Sequence, residues 1–166
     1  MKATHRPQPH HPNDPAHVHW VVVADASRMQ VFAADVMLEA LLPLEGRTHP
    51  ASRLPTSELV SDDRGATRDG ITGIRSRVER HTEPHRGAID DFAREIGHLL
   101  HDARVAARFE RLVLVAPPQF LGAIRAHLDH ETAKTVLASF AHEWTRLPLP
   151  ELAARIRAEL PGTLPD

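Results

Sequence analysis

One stretch of the sequence, residues 109–128, predicts a buried strand followed by a short loop and a helix. Residues 112–116 form a continuous apolar run with two β-branched members, flanked by charged residues before it and prolines after it. Such a run is typical of a strand that is buried on both faces of a sheet. Pro117 and Pro118 cannot donate to a β-ladder, but proline suits the first turn of a helix, and apolar residues then recur on one helical face as far as Leu128. We therefore expect an α/β sheet built around this unit.

The Pro-Pro-Gln loop at residues 117–119 is a candidate ligand site by its position. In open α/β sheets, ligands often bind beside the loop that follows a parallel strand. The competing interpretation is a structural turn, because no glycine or charged side chain in this loop marks phosphate binding or a reacting centre.

Length and composition predict one cytoplasmic domain. The chain has 166 residues, of which 42% are hydrophobic, enough for one core and too few for two comfortable domains. A formal net charge of -2, from 20 basic and 22 acidic side chains, argues against a general nucleic-acid coat but is compatible with local basic patches. The absence of cysteine excludes disulfides, thiolate metal sites and cysteine nucleophiles. The sequence shows no secretory signal and no apolar run of about 18 residues, so we expect no membrane contact.

We expect a disordered tail at residues 1–16 and an α/β domain at residues 17–161. The tail is rich in histidine and proline and has too few apolar residues to offset the entropy cost of ordering. Its histidines could capture a metal weakly, but a solvated tail is the simpler interpretation, since metal sites need ligands held in a fixed frame.

Two apolar segments, residues 18–24 and 28–34, predict a β-hairpin. A third, weaker strand is expected at residues 38–44, at the sheet edge, ended by Pro43 and Gly46.

The hairpin turn contains Asp25, whose position at the end of a first strand matches that of a carboxylate in metal-dependent nucleases of the ribonuclease H type. An aspartate that hydrogen-bonds its own turn is the competing interpretation, because no second and third carboxylate follow at strand-linked positions.

Residues 47–86 lack apolar periodicity and predict a long polar loop, which in a compact domain is usually functional or disordered. Its arginines alternate with glycine, serine and threonine, a composition that can wrap phosphates or an acidic surface. No aromatic residue is present in the segment to stack on bases. The arginines are Arg64, Arg68, Arg75, Arg77, Arg80 and Arg86.

From residue 88 to residue 103 an apolar stripe predicts a long amphipathic helix that packs on the sheet. His98 and His101 on its polar side could share a metal ion, although exposed helix faces commonly carry such residues.

The last part of the chain predicts two more helices and another strand. Asp129 can cap a short helix, residues 136–142 form a strand with Phe140 inward, and a final helix runs from Pro150. The whole order predicts a mixed sheet with helices packed on it.

No dinucleotide fingerprint, phosphate loop, His-Glu-x-x-His or Gly-x-Ser-x-Gly motif occurs, so the sequence predicts no catalytic residue, no metal site and no cofactor. Five segments nevertheless follow one another in an order that resembles the bacterial host attachment protein family. They are WVVVADASRMQVF, LVSDDRG, FARE, LVLVAPPQFLG and LP. They begin at residues 20, 59, 92, 112 and 147, and the resemblance runs from about residue 18 to residue 160.

This resemblance implies a relationship to the central domain of archaeal and eukaryotic peptide-chain release factors, with a ribonuclease H-like sheet, and a role in the attachment of bacteria to host cells. Release factors hydrolyse peptidyl-tRNA with a Gly-Gly-Gln tip, which this sequence lacks. The loop residues Asp62, Arg64 and Gly65 are a partial match to the family pattern.

The leading hypothesis is a binding protein without enzymatic activity that contacts ribosomal RNA, tRNA or an acidic protein. Its candidate binding residues are Asp62, Arg64, Gly65, Arg68 and Arg86. The alternatives are a metal-dependent hydrolase or nuclease that uses Asp25 with Asp62 or Asp63, and an interaction protein needed for host attachment.

Overall fold

The structure, a computed structural model, describes residues 19–49 and 75–160, with the backbone alone described for residues 75–85. Five strands and four helices lie in these ranges. In chain order they are β1 His19–Asp25, β2 Arg28–Ala34, β3 Leu41–Thr48, α1 Arg75–Val105, β4 Arg111–Val115, α2 Pro118–Ala126, α3 His130–Lys134, β5 Val136–Phe140 and α4 Leu149–Glu159.

The strands form one mixed sheet in the order β3-β2-β1-β4-β5. β2 is antiparallel to β1 and to β3, whereas β4 is parallel to both β1 and β5. The predicted hairpin and the predicted α/β architecture, a mixed sheet with helices packed on it in a single domain, are confirmed. The finer expectation of a ribonuclease H-like or release-factor-like fold stays a prediction.

The sheet has a helix layer on each face because its strand residues alternate in direction. Trp20 and Val22 of β1 face a cluster formed with α1 and α2, and this cluster includes Phe92 and Ile124. Val21 and the residues that lie beside it on neighbouring strands point to the opposite face of the sheet. They form a second cluster, which α4 covers. β4 is buried on both faces, with Leu112, Val113, Leu114 and Val115 each at most 1% exposed, as the continuous apolar run predicted.

The third strand differs from its prediction. β3 begins at Leu41, and both Pro43 and Gly46 lie inside it, where they had been expected to end it. Pro43 is tolerated because β3 is the edge strand, and the register shifts opposite β2 so that Leu44 has no partner. Pro43 therefore indicates that β3 is an edge strand, but it does not end the strand.

The predicted loop at residues 47–86 needs correction at both ends. β3 continues to Thr48, and α1 begins at Arg75, so residues 75–86 are helical. Apolar periodicity could not reveal this part of the helix, because arginine and glutamate have good helix propensity without forming an apolar stripe. Residues 50–74 and the predicted tail at residues 1–16 lie outside the described residues.

The later elements follow their predictions closely. α2 begins with Pro118 at its first position, Asp129 caps α3, and α4 buries Leu152 and Ile156. The strand expected at residues 136–142 ends earlier, at Phe140.

Candidate functional site

The edge of the sheet where β1 and β4 end, called here the carboxyl edge, holds Asp25 and the Pro-Pro-Gln loop at residues 117–119. The first core-packed turns of α1 lie at this edge, since the Phe92 ring stacks with His49, which follows β3, and with Phe120 at the start of α2. The centroid distances are 5.0 and 5.8 Å. The residue after β3 and the start of α2 therefore both meet the α1 helix at this edge.

Asp25, the one carboxylate at the end of β1, holds this edge together. Its Oδ1 accepts hydrogen bonds from the Ser27 amide at 2.8 Å, the Ser27 hydroxyl at 2.8 Å and the Arg28 amide at 2.9 Å. Its Oδ2 accepts a bond from the Thr145 hydroxyl at 2.7 Å. Burial would raise the pKa of the Asp25 carboxyl, but the bonds from Thr145 and Ser27 outweigh it and keep the pKa below its ordinary value. This is the turn role predicted as the competing interpretation for Asp25.

We group four arginines as the basic rim: Arg28 and Arg47, at the paired ends of β2 and β3; Arg146, which follows Thr145 in the chain; and Arg86, on α1 two residues before the first buried residue of that helix. Two of them are already paired, Arg28 with Asp25 at 3.5 Å and Arg47 with Glu45 at 2.7 Å. Arg86 and Arg146 are exposed, and neither has an ion-pair partner among the described residues. The two unpaired guanidinium groups are consequently available to an anionic ligand.

Of the five predicted binding residues, the structure describes Arg86 alone. It lies on α1 just before Ala88, the first residue of that helix to be buried. The other four, Asp62, Arg64, Gly65 and Arg68, lie outside the described residues. Arg75, Arg77 and Arg80 are placed on the first turns of α1 by its backbone.

The Pro-Pro-Gln loop is organised as a helix start. The carbonyl oxygen of Pro117 accepts a hydrogen bond from the Leu121 amide at 2.8 Å, and no side chain caps the helix. Gln119 is exposed on the first turn of α2. The geometry agrees with the structural-turn interpretation, and Gln119 remains the polar group that this loop presents.

Sequence patterns missed Thr145 and Arg146. They lie in the irregular segment between β5 and α4, which has no periodicity and no motif. The side chain of Thr145 is buried by its contact with Asp25, a partner 120 residues away in the chain. No local signal could have identified a contact of that separation.

The two histidines proposed as metal ligands, His98 and His101, do not converge with other ligands on one point. His101 Nδ1 lies 3.0 Å from Asp129 Oδ2, and His98 is exposed on the preceding turn of α1. Both border an open cleft of about 450 Å³ between α1 and the end of α2, together with His127. Within residues 19–49 and 75–160, no group of three or more His, Asp or Glu side chains could hold a metal ion.

Comparison with known protein families identifies the chain. A family model described as "Protein required for attachment to host cells" matches residues 20–156. The chain belongs to this family. The match spans β1 to α4, so the Asp25 turn and the basic rim both lie within the host attachment domain. No curated protein matches the sequence. None of the helices that the structure describes is long and apolar enough to cross a membrane.

Proposed function

We propose that this member of the host attachment family is a binding protein whose basic rim and adjoining arginines contact the phosphates of structured RNA, such as ribosomal RNA or tRNA. The observation that carries the proposal is the pair of exposed, unpaired arginines, Arg86 and Arg146, at the carboxyl edge. Arginine suits this role because its planar guanidinium group can donate two hydrogen bonds to one phosphate.

The length of α1 adds to this support. The part of α1 that packs on the core runs from Ala88 to Ala103. At about 1.5 Å per residue this part is roughly as long as a strand of the sheet that it covers. The backbone of α1 continues for residues 75–87 before that part, or roughly 20 Å of helix. Three further arginines, Arg75, Arg77 and Arg80, fall in this extension together with Glu79 and Glu83, so its formal charge stays positive.

The chemistry of Asp25 favours binding over hydrolysis at this edge. A carboxylate that serves a catalytic metal ion needs free lone pairs. Asp25 uses its two oxygens for four hydrogen bonds that fix the hairpin turn and Thr145. Its geometry is that of a structural anchor for the rim.

Binding can be measured by sedimentation of the protein with ribosomes and by fluorescence anisotropy with a structured RNA, each at two salt concentrations. Replacing Arg86 and Arg146 with Ala should weaken association and flatten its salt dependence, because each lost phosphate contact removes about one released counterion. The double variant Arg64→Ala with Arg68→Ala should act in the same direction.

A matched control is Arg125→Ala, since Arg125 is also an exposed arginine but lies in the last turn of α2, away from the carboxyl edge. If Arg125→Ala weakened RNA binding as much as the changes at Arg86 and Arg146, the binding would reflect general attraction between positive charge and RNA. No RNA or ribosome binding by the parent would overturn the proposal, and binding to an acidic protein that depends on the rim would identify the other class of partner.

A further inference from the structure

The two edges of the sheet differ in how they are protected against pairing. β3, at one edge, carries Pro43, a register shift at Leu44 and the charged residues Glu45 and Arg47. These are the usual devices that prevent an edge strand from pairing with another chain. β5, at the other edge, has the sequence Val-Leu-Ala-Ser-Phe, with no proline and no charge.

β5 is also accessible. Its first four residues are partly exposed, and in the part of the chain that the structure describes β4 is its sole strand partner. An unprotected edge strand presents backbone donors and acceptors that a second strand can satisfy.

We infer that β5 is a homodimer interface, in which β5 of a second copy pairs with it antiparallel across a two-fold axis and joins the two sheets into one. A two-fold contact brings each strand against itself, so a self-pairing strand must avoid like charges, and β5 carries none. This inference is independent of the proposed RNA binding.

The residues that flank β5 are complementary in such a pair. Lys134 ends α3 just before β5, and Glu143 follows β5 by three residues. Both side chains are exposed. Antiparallel pairing brings the Lys134 end of one strand to the Glu143 end of the other, and the two-fold axis repeats this opposite-charge contact. In the monomer Lys134 bonds Glu131 of its own helix at 2.9 Å, an exposed pair that a contact with Glu143 of the second copy would replace or share.

A strand of five residues buries a small interface. We therefore expect a weak dimer, with a Kd of roughly 1 to 100 μM, at the low end of specific protein contacts. The dimer should form as protein concentration rises through this range, with slower amide exchange in β5.

The test is sedimentation equilibrium of the full chain across micromolar concentrations, with charge variants at the flanks. Lys134→Glu and Glu143→Lys each place like charges across the axis and should raise the Kd by about five- to tenfold. The two changes together should restore it. Glu45→Lys, on the opposite edge, is the matched control and should leave the Kd unchanged.

A protein that stays monomeric at every concentration overturns the inference. So does a dimer that is indifferent to both single variants, since it would use another surface. Hydrogen exchange supplies a further check: β5 amides protected equally at all concentrations in a monomer would show that another segment of the same chain pairs with the strand.

Discussion

The hydroxyl of Thr145 donates a 2.7 Å hydrogen bond to Asp25 Oδ2 across 120 residues of sequence. This bond ties the irregular segment after β5 to the hairpin turn between β1 and β2. The free energy of unfolding should therefore depend on Thr145 although it lies in no helix or strand.

Replacing Thr145 with Val removes the donor and leaves Asp25 Oδ2 in a part-buried position without it. We expect the free energy of unfolding to fall by about 1 to 3 kcal/mol, the usual cost of an unsatisfied buried polar group. Urea denaturation measures the change. Thr48→Val, at an exposed position in β3, is the control and should cost far less. Equal losses at both positions would contradict the anchoring role.

Gly97 allows α1 to approach the end of α2. A Cβ at this position would lie 2.5 Å from the carbonyl oxygen of His127, which is backbone and cannot swing aside. Gly97→Ala should lower the free energy of unfolding by about 1 to 3 kcal/mol, although alanine favours the helix.

Gly122→Ala is the matched change in α2, because no atom lies within 4 Å of the added Cβ. It should raise the free energy of unfolding by about 0.5 to 1 kcal/mol through helix propensity. Thermal denaturation of both variants tests the pair, and a shift of the same sign for Gly97 and Gly122 would argue against the close helix contact.

Acid should destabilise the protein through Asp129. The Thr132 hydroxyl is the main cause that holds the pKa of this carboxyl below its ordinary value, with further contributions from His101, the Thr132 amide and Arg104. A pKa that is lower in the folded state stabilises the fold above the unfolded pKa of about 4, and this stabilisation is lost as pH falls further.

Asp129→Asn keeps an oxygen that can cap α3 but removes the titrating charge. Urea midpoints measured from about pH 6 to about pH 2 should therefore fall less steeply for the variant than for the parent. Identical pH profiles would mean that Asp129 contributes no charge-dependent stability.

The central strand can be tested with a buried charge. Val113 is 0% exposed between β1 and β5, so Val113→Asp should prevent folding, since an unpaired buried carboxylate costs several kcal/mol against a total stability of roughly 5 to 15. Arg111→Asp, at the exposed first position of the same strand, should remain folded by circular dichroism. A soluble, folded Val113→Asp protein would refute the placement of this strand.

The sequence predicted those helices and strands whose burial imposes a regular period on the apolar residues. The apolar run around Val113, the hairpin and the stripe on α1 from Ala88 each follow from a period in the sequence that burial on one or two faces imposes. Asp129 was recognisable as a helix cap because a side-chain cap acts within three residues.

Other features depend on partners that the sequence does not place side by side. The bond from Thr145 to Asp25 and the contact of His101 with Asp129 join residues that are far apart in the chain. The helical state of residues 75–86 was missed for a different reason, since charged residues form helix without an apolar period. Four of the predicted binding residues, including Arg64, lie where the structure gives no description, so their role stays a prediction.

The two faces of the sheet are completed at different times during synthesis. α1 and α2 can cover Trp20 and its neighbours as soon as the chain up to Ala126 has left the ribosome. The opposite face, with Val21, waits for Leu152 and Ile156 of α4, the last helix described. A nascent chain therefore exposes the apolar sheet surface around Val21 until α4 has been synthesised.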